Sequence, residues 1–145
     1  MKHLFLLLVL LSSKEQCNQV GTLPFLSATS QTWVGGAAAT RGTYYTIYLG
    51  MATGTDYTFD SLWVNNRRLP ISIKRGSATS DTLVLFSNDV QGFRDPMSGR
   101  DLPAVTEAKF PIKVTAEGVL GYYHQGEHRY FPIPAFVILK PLTYE

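Results

Sequence analysis

Hydrophobic and polar residues alternate with a period of two in a series of short segments after residue 31. The clearest segment is 43–49 (TYYTIYL), in which β-branched and aromatic residues alternate. Similar segments recur roughly every 8–12 residues, at 57–64, 69–74, 82–86, 110–115, 119–124, 128–133 and 136–139. No long stretch after the N-terminus has the apolar period of a helix. We therefore predict an all-β fold, an antiparallel β-sandwich of immunoglobulin-like architecture with about 7–9 short strands.

Two short polar segments are predicted to be hairpin turns. Asn65 to Arg68 separates the second and third segments, and Gln125-Gly126-Glu127 separates the sixth and seventh. A three-residue loop at 125–127 would make His124 and His128 cross-strand partners. A two-residue loop at Gln125-Gly126 would pair His124 with Glu127 and turn His128 to the other face. The sequence leaves both registers open.

The N-terminus predicts export. Met1-Lys2-His3 precedes an unbroken apolar run, 4–11, and two serines, which is typical of a secretory signal peptide. We expect cleavage between about 13 and 17. The run before Cys17 resembles a bacterial lipoprotein signal, although the charged and polar residues 14–16 stand where small or apolar ones are expected. Lipidation of Cys17 is therefore the alternative to plain secretion.

Length and composition predict one domain of a bacterial envelope protein. A chain of 145 residues fits one domain, which we place at 32–145, after a signal peptide at 1–17 and a polar linker or arm at 18–31. Cys17 is the only cysteine, so no intrachain disulfide can form, which favours a periplasmic, envelope or extracellular bacterial location.

Charge and motifs argue against several function classes. The net charge is +2 without a basic run, so we expect no nucleic-acid partner, and membrane contact only through a lipid on Cys17. The chain has no Gly-x-Ser-x-Gly motif and no phosphate-binding glycine-rich loop, and its only histidines after the signal are His124 and His128. We therefore expect neither catalysis nor a cofactor.

Aromatic side chains supply the candidate ligand-binding residues. In 43–49, Tyr44 and Tyr48 lie on the face opposite Tyr45, Ile47 and Leu49. The three-residue register would place Tyr122, His124, His128 and Tyr130 together on one face. Faces of amphipathic rings stack on sugars or bind protein partners. The candidate binding residues are Tyr44, Tyr48, Tyr122 and Tyr130, and the alternative is that these rings are structural.

Metal binding is a weaker hypothesis at two places. In the three-residue register, His124, Glu127 and His128 would offer zinc or copper two imidazoles and a carboxylate. The long connection 87–108 contains oxygen donors that calcium accepts, but its arginines favour local ion pairs. The donors are Asn88, Asp89, Asp95 and Asp101.

These observations favour an exported, non-catalytic β-sandwich module that binds an unknown protein or glycan partner in the envelope or serves a structural role there. One alternative is a carbohydrate-binding module with an exposed Tyr/His face. A second is a metal-binding protein or enzyme centred on the 124–128 hairpin.

Overall fold

Every regular element in the described part of the chain is a β-strand. The computed structural model describes residues 19–35, 40–52, 56–74, 81–91 and 107–144. It confirms the all-β fold, with eleven strands in these ranges: β1 (Gln19–Val20), β2 (Phe25–Val34), β3 (Arg41–Leu49), β4 (Tyr57–Val64), β5 (Arg67–Pro70), β6 (Ser72–Lys74), β7 (Leu83–Gln91), β8 (Gly118–His124), β9 (Glu127–Ile133), β10 (Val137–Ile138) and β11 (Leu142–Thr143).

The strands form two sheets. The first sheet has the order β1-β9-β8-β4-β5, and the second has the order β10-β2-β3-β7-β6, with β11 also beside β2. The longer strands pair antiparallel, but β1 pairs parallel with β9, and β10 and β11 pair parallel with β2. The sheets are therefore mixed, and the prediction of purely antiparallel pairing is wrong at these short strands. A hairpin turn cannot join two parallel strands. Residues 134–136 instead connect β9 in the first sheet to β10 in the second sheet.

The two sheets pack through one shared apolar core. Ile47 of β3 and Leu85 of β7 contribute from the second sheet, and Leu62 of β4 and Leu120 of β8 from the first; all are almost fully buried. As predicted for β3, its inward residues are buried, whereas Tyr44 and Tyr48 face outward and are partly exposed. Burial of these side chains is the main favourable contribution to folding.

Several segments differ from their predicted structure. The predicted strand 69–74 is divided between β5 and β6, which belong to different sheets, and β7 continues to Gln91, beyond the predicted end at 86. Residues 25–31, assigned to the polar linker or arm at 18–31, belong to β2 beside β3, so the pairing with β3 rather than apolar content makes this segment a strand. Residues 110–115 form no strand. Apolar and polar side chains do alternate in 110–115, but the apolar ones pack on the outer face of the first sheet. There Phe110, Ile112 and Val114 join a small cluster with Trp63, Val119 and Tyr130.

Both predicted hairpins close with two-residue turns. Asn65 and Asn66 have φ values of 49° and 57°, and Gln125 and Gly126 have 52° and 76°. Two successive positive φ values are the signature of a type I′ turn, whose twist matches that of the strands it joins. The turns lie at opposite ends of the sandwich, because β4 begins with Tyr57 opposite His124 and ends at Val64, directly before Asn65. We name these the β8–β9 end and the β4–β5 end.

An ion pair connects the sheets near the β4–β5 end. Arg67 of β5 places Nη1 2.6 Å from Oδ1 of Asp89 in β7, whose side chain is 1% exposed. Asp89 therefore belongs to a strand and pairs with Arg67 of the other sheet, which is not the local ion pair within 87–108 that was the alternative to calcium binding. Asp95 and Asp101 of the predicted calcium loop, and the predicted signal with Cys17, lie outside the described residues.

Candidate functional site

Three aromatic side chains form a row across the outer face of the second sheet. We call Trp33 of β2, Tyr44 of β3 and Phe86 of β7 the aromatic row. The ring centroids of Trp33 and Tyr44 are 5.7 Å apart, and those of Tyr44 and Phe86 are 5.3 Å apart. At one end Lys74 Nζ lies 4.3 Å from the centre of the Phe86 ring, and at the other Tyr144 contacts Trp33 edge-on at 6.5 Å. The row thus spans β2, β3 and β7 and reaches β6.

Strand register explains why these rings meet. Tyr44 is directly opposite Gln31 in β2 and opposite Asn88 in β7. Trp33 follows Gln31 by two residues and Phe86 precedes Asn88 by two, so the three rings are diagonal neighbours on one face. Diagonal neighbours in antiparallel sheets lie within reach of aromatic side chains. The period-two pattern places each ring outward, and the strand order β2-β3-β7 brings them together.

Gly42 allows the indole of Trp33 to lie across β3. A Cβ atom at this position would stand 2.7 Å from Cε2 and Cζ2 of Trp33 and 2.5 Å from the carbonyl oxygen of Asp89, so a larger residue would displace both the ring and the neighbouring strand. The first sheet repeats this arrangement, because a Cβ at Gly121 would stand 2.8 Å from Cζ3 of Trp63. Each sheet therefore has a tryptophan lying over a glycine on its outer face.

The two outer faces differ in what covers them. Segment 107–116 lies over the first sheet, where Trp63 is only 6% exposed. Among the residues that the structure describes, no comparable apolar cluster covers Trp33, Tyr44 or Phe86, and all three are partly exposed. The second sheet thus leaves its aromatic row partly exposed to solvent.

The groups around the aromatic row are polar and mostly neutral. Trp33 Nε1 donates to Oδ1 of Asn88 at 3.0 Å, and Gln31 Nε2 donates to the carbonyl oxygen of Lys140 at 2.8 Å. A hydrogen bond between the hydroxyls of Tyr44 and Tyr144 raises the pKa of Tyr44, and burial adds to the shift. The outward positions of β2, β3 and β7 hold Thr, Gln, Tyr and Asn but no carboxylate. This face therefore combines aromatic surface with uncharged hydrogen-bonding groups.

The four tyrosines predicted to bind ligand do not share one surface. Tyr44 and Tyr48 are on the same outer face, but no ring contact connects Tyr48 to the row in the described chain. Tyr122 is 1% exposed in the core between the sheets, and Tyr130 is 8% exposed under the 107–116 segment. The alternation of side chains identified Tyr44 but missed Trp33 and Phe86. Each of these is an aromatic residue at an outward position of a strand next to β3, and this was the signal that could have identified them.

The hairpin histidines do not form the predicted metal site. The two-residue turn pairs His124 with Glu127, which places His124 and His128 on opposite faces of the first sheet. His124 stacks on Tyr57 with centroids 4.1 Å apart, whereas His128 stacks on Tyr123 and has Nε2 3.4 Å from Oδ2 of Asp60. Glu127 instead pairs with Arg129. In the ranges the structure covers, no group of three or more His, Cys, Asp or Glu residues is placed to hold an ion.

Comparisons with other proteins add no family to this description. No known protein family, curated protein or solved structure matches the chain. The described ranges contain no helix of the length and apolar character needed to span a membrane. The functional argument therefore depends on the surfaces of the molecule itself.

Proposed function

We propose that the protein is an exported, non-catalytic binding module of the bacterial cell envelope, and that the aromatic row is its binding surface for a neutral glycan. The observation that carries the proposal is the solvent-facing row of Trp33, Tyr44 and Phe86 on an outer sheet face. The equivalent face of the other sheet buries its tryptophan under a chain segment. The apolar run near the N-terminus supports export.

The chemistry of the face matches a sugar better than an anion or a nucleic acid. Aromatic rings offer flat apolar surface to the C–H faces of a pyranose, and Asn and Gln amides offer donors and acceptors to its hydroxyls. Among the residues that the structure describes, Lys74 is the one cation in contact with the row, so an anionic polymer would find little charge to bind there. An immunoglobulin-like architecture is part of the same proposal, supported by the face-to-face packing of two sheets with tight turns.

Affinity electrophoresis tests the proposal directly. The purified protein is run in native gels cast with a soluble β-glucan, a mannan or a galactan, with serum albumin as the non-binding reference. We expect retardation in at least one gel. Trp33→Ala or Tyr44→Ala should weaken binding at least tenfold, about 1.4 kcal/mol, because central aromatic anchors contribute most of the energy of such surfaces.

Tyr48→Ala is the matched control. Tyr48 is on the same strand and the same face as Tyr44 and is similarly exposed, but lies outside the row. Binding should survive this substitution. Absence of retardation in every gel, or equal retention by the Trp33→Ala and Tyr44→Ala variants, would contradict the proposal.

A further inference from the structure

A solvent-open cleft of about 420 Å³ lies at the β4–β5 end of the sandwich, away from the aromatic row. It opens between the β4–β5 turn, the crossover segment 134–136 and the residues just before β8. This volume is within the range of about 300–1,000 Å³ that is usual for small-molecule sites, which is enough for a ligand of amino-acid size.

The floor of the cleft is aromatic. Tyr45 and Phe136 meet edge-to-face with ring centroids 5.2 Å apart, and Phe110 adds a third ring to the lining. Gly118 allows this packing, because a Cβ there would stand 3.0–3.1 Å from two Phe136 ring atoms. Aromatic faces attract cations electrostatically, and most strongly where water is partly excluded.

The polar groups of the cleft are held in fixed positions. Oε2 of Glu117 accepts the backbone N–H of Phe136 at 2.7 Å, which holds the carboxylate beside the rings. Asn65 Nδ2 donates to the Tyr45 hydroxyl at 3.3 Å, so the amide of the type I′ turn is also positioned. Burial, followed by the negative charge of Asp89, raises the pKa of Tyr45, which keeps its hydroxyl protonated near neutral pH.

The charges of the lining have one sign. Glu117 carries a carboxylate, and none of the described residues that line the cleft is basic. A carboxylate beside aromatic rings complements a positive group on an apolar stem. We propose that this cleft is a second binding site, which takes an organic cation in which a guanidinium or ammonium group is attached to a short alkyl chain. The site is independent of the glycan surface on the outer face of the second sheet.

Titration followed by NMR tests the site. The probes are N-acetyl-arginine methylamide and N-acetyl-lysine methylamide, with N-acetyl-citrulline methylamide as the neutral isostere of the first. We expect saturable shifts of the backbone amides of Asn65, Asn66, Glu117 and Phe136, with a dissociation constant on the order of 1 mM for a single small cation. The citrulline probe should bind at least fivefold more weakly.

Two variants separate binding from folding. Glu117→Gln keeps an oxygen that accepts the Phe136 N–H but removes the charge, and it should weaken binding of both cations at least fivefold. Glu107→Gln removes an exposed carboxylate near the same end that does not line the cleft, and it should leave binding unchanged. Equal binding of citrulline and arginine probes, full affinity in Glu117→Gln, or no saturable shift would overturn the proposal. Retardation of the protein in glycan-containing gels, which tests the aromatic row, is measured separately and does not depend on this outcome.

Discussion

Replacing Arg67 with Met should destabilise the protein more than any other substitution of a surface-accessible charge. The Arg67 side chain is 18% exposed, whereas its partner Asp89 is 1% exposed, with 2.6 Å between Nη1 and Oδ1. The variant leaves a carboxylate in the interior without its counter-charge. Removal of one partner from a buried pair costs about 3–5 kcal/mol, because the remaining charge is desolvated without compensation.

The loss of unfolding free energy can be measured by urea unfolding, and the melting temperature by heating, both followed by tryptophan fluorescence. At roughly 3–5 °C per kcal/mol for a domain of this size, the Arg67→Met variant should melt about 10–20 °C below the parent. The double variant Arg67→Met/Asp89→Leu should recover most of the loss, since replacing a buried pair by apolar residues is often neutral. The double-mutant cycle should therefore give a coupling free energy of at least about 2 kcal/mol between positions 67 and 89.

Arg129→Met is the matched control. Arg129 and Glu127 have the same 2.6 Å separation between nitrogen and oxygen, but their side chains are 32% and 57% exposed. Water solvates and screens such a pair, so the urea midpoint should barely change. If Arg67→Met lowers stability no more than Arg129→Met does, the ion pair does not connect the sheets and the reasoning from burial fails.

Three further predictions follow from the turns, the tyrosines and the N-terminus. Gln125→Asn should raise stability by about 0.5–1 kcal/mol in urea unfolding, because Asn tolerates the positive φ of a type I′ turn better than Gln; a loss would argue against the two-residue register. Burial raises the pKa of Tyr45, Tyr122 and Tyr130, so the folded state binds more protons than the unfolded state above pH ~10; stability should be level below that pH and fall above it, less steeply in Tyr122→Phe. Intact-mass measurement after expression in a Gram-negative host should show loss of the first ~13–17 residues, with an acyl increment if Cys17 is lipidated; a full-length cytoplasmic product would refute export.

The alternation of side chains predicted the central strands well. β4 has the predicted bounds of 57–64, and β3 and β8 differ by at most two residues. β3 buries one face against the core, so its period-two pattern is strong. β4 and β8 are buried on both faces over part of their length, and their β-branched and aromatic residues indicate a strand instead. The alternation did not predict β2, because its inward residues include the small Ala28 and the polar Ser30. Ser30 lines the cleft instead of filling the core. Two-residue strands such as β10 and β11 carry no detectable period at all.

The binding surfaces were less predictable because they depend on contacts between distant segments. The pattern placed Tyr44 outward, but Trp33 and Phe86 are 53 residues apart in the chain, and only the strand order brings them to either side of Tyr44. The register of the hairpin at 124–128 depended on whether its loop has two or three residues. Because side chains alternate, a change of one residue in the loop decides whether His124 and His128 share a face. The structure has the two-residue turn, which separates them.

The position of β1 gives the lipidation alternative a geometric consequence. β1 begins at Gln19, only two residues after Cys17, so the chain allows the attachment point of a lipid on Cys17 to lie at most about 7 Å from the start of the strand. β1 pairs in parallel with β9 at Arg129 and Tyr130, close to the β8–β9 end. A lipidated form would therefore turn that end toward the bilayer and the cleft at the β4–β5 end away from it, with the aromatic row on the side wall of the sandwich. A secreted form without the lipid would have no such orientation. The lipidated form should therefore bind lipid vesicles and still bind the cation probes in its cleft, whereas the secreted form should not bind the vesicles.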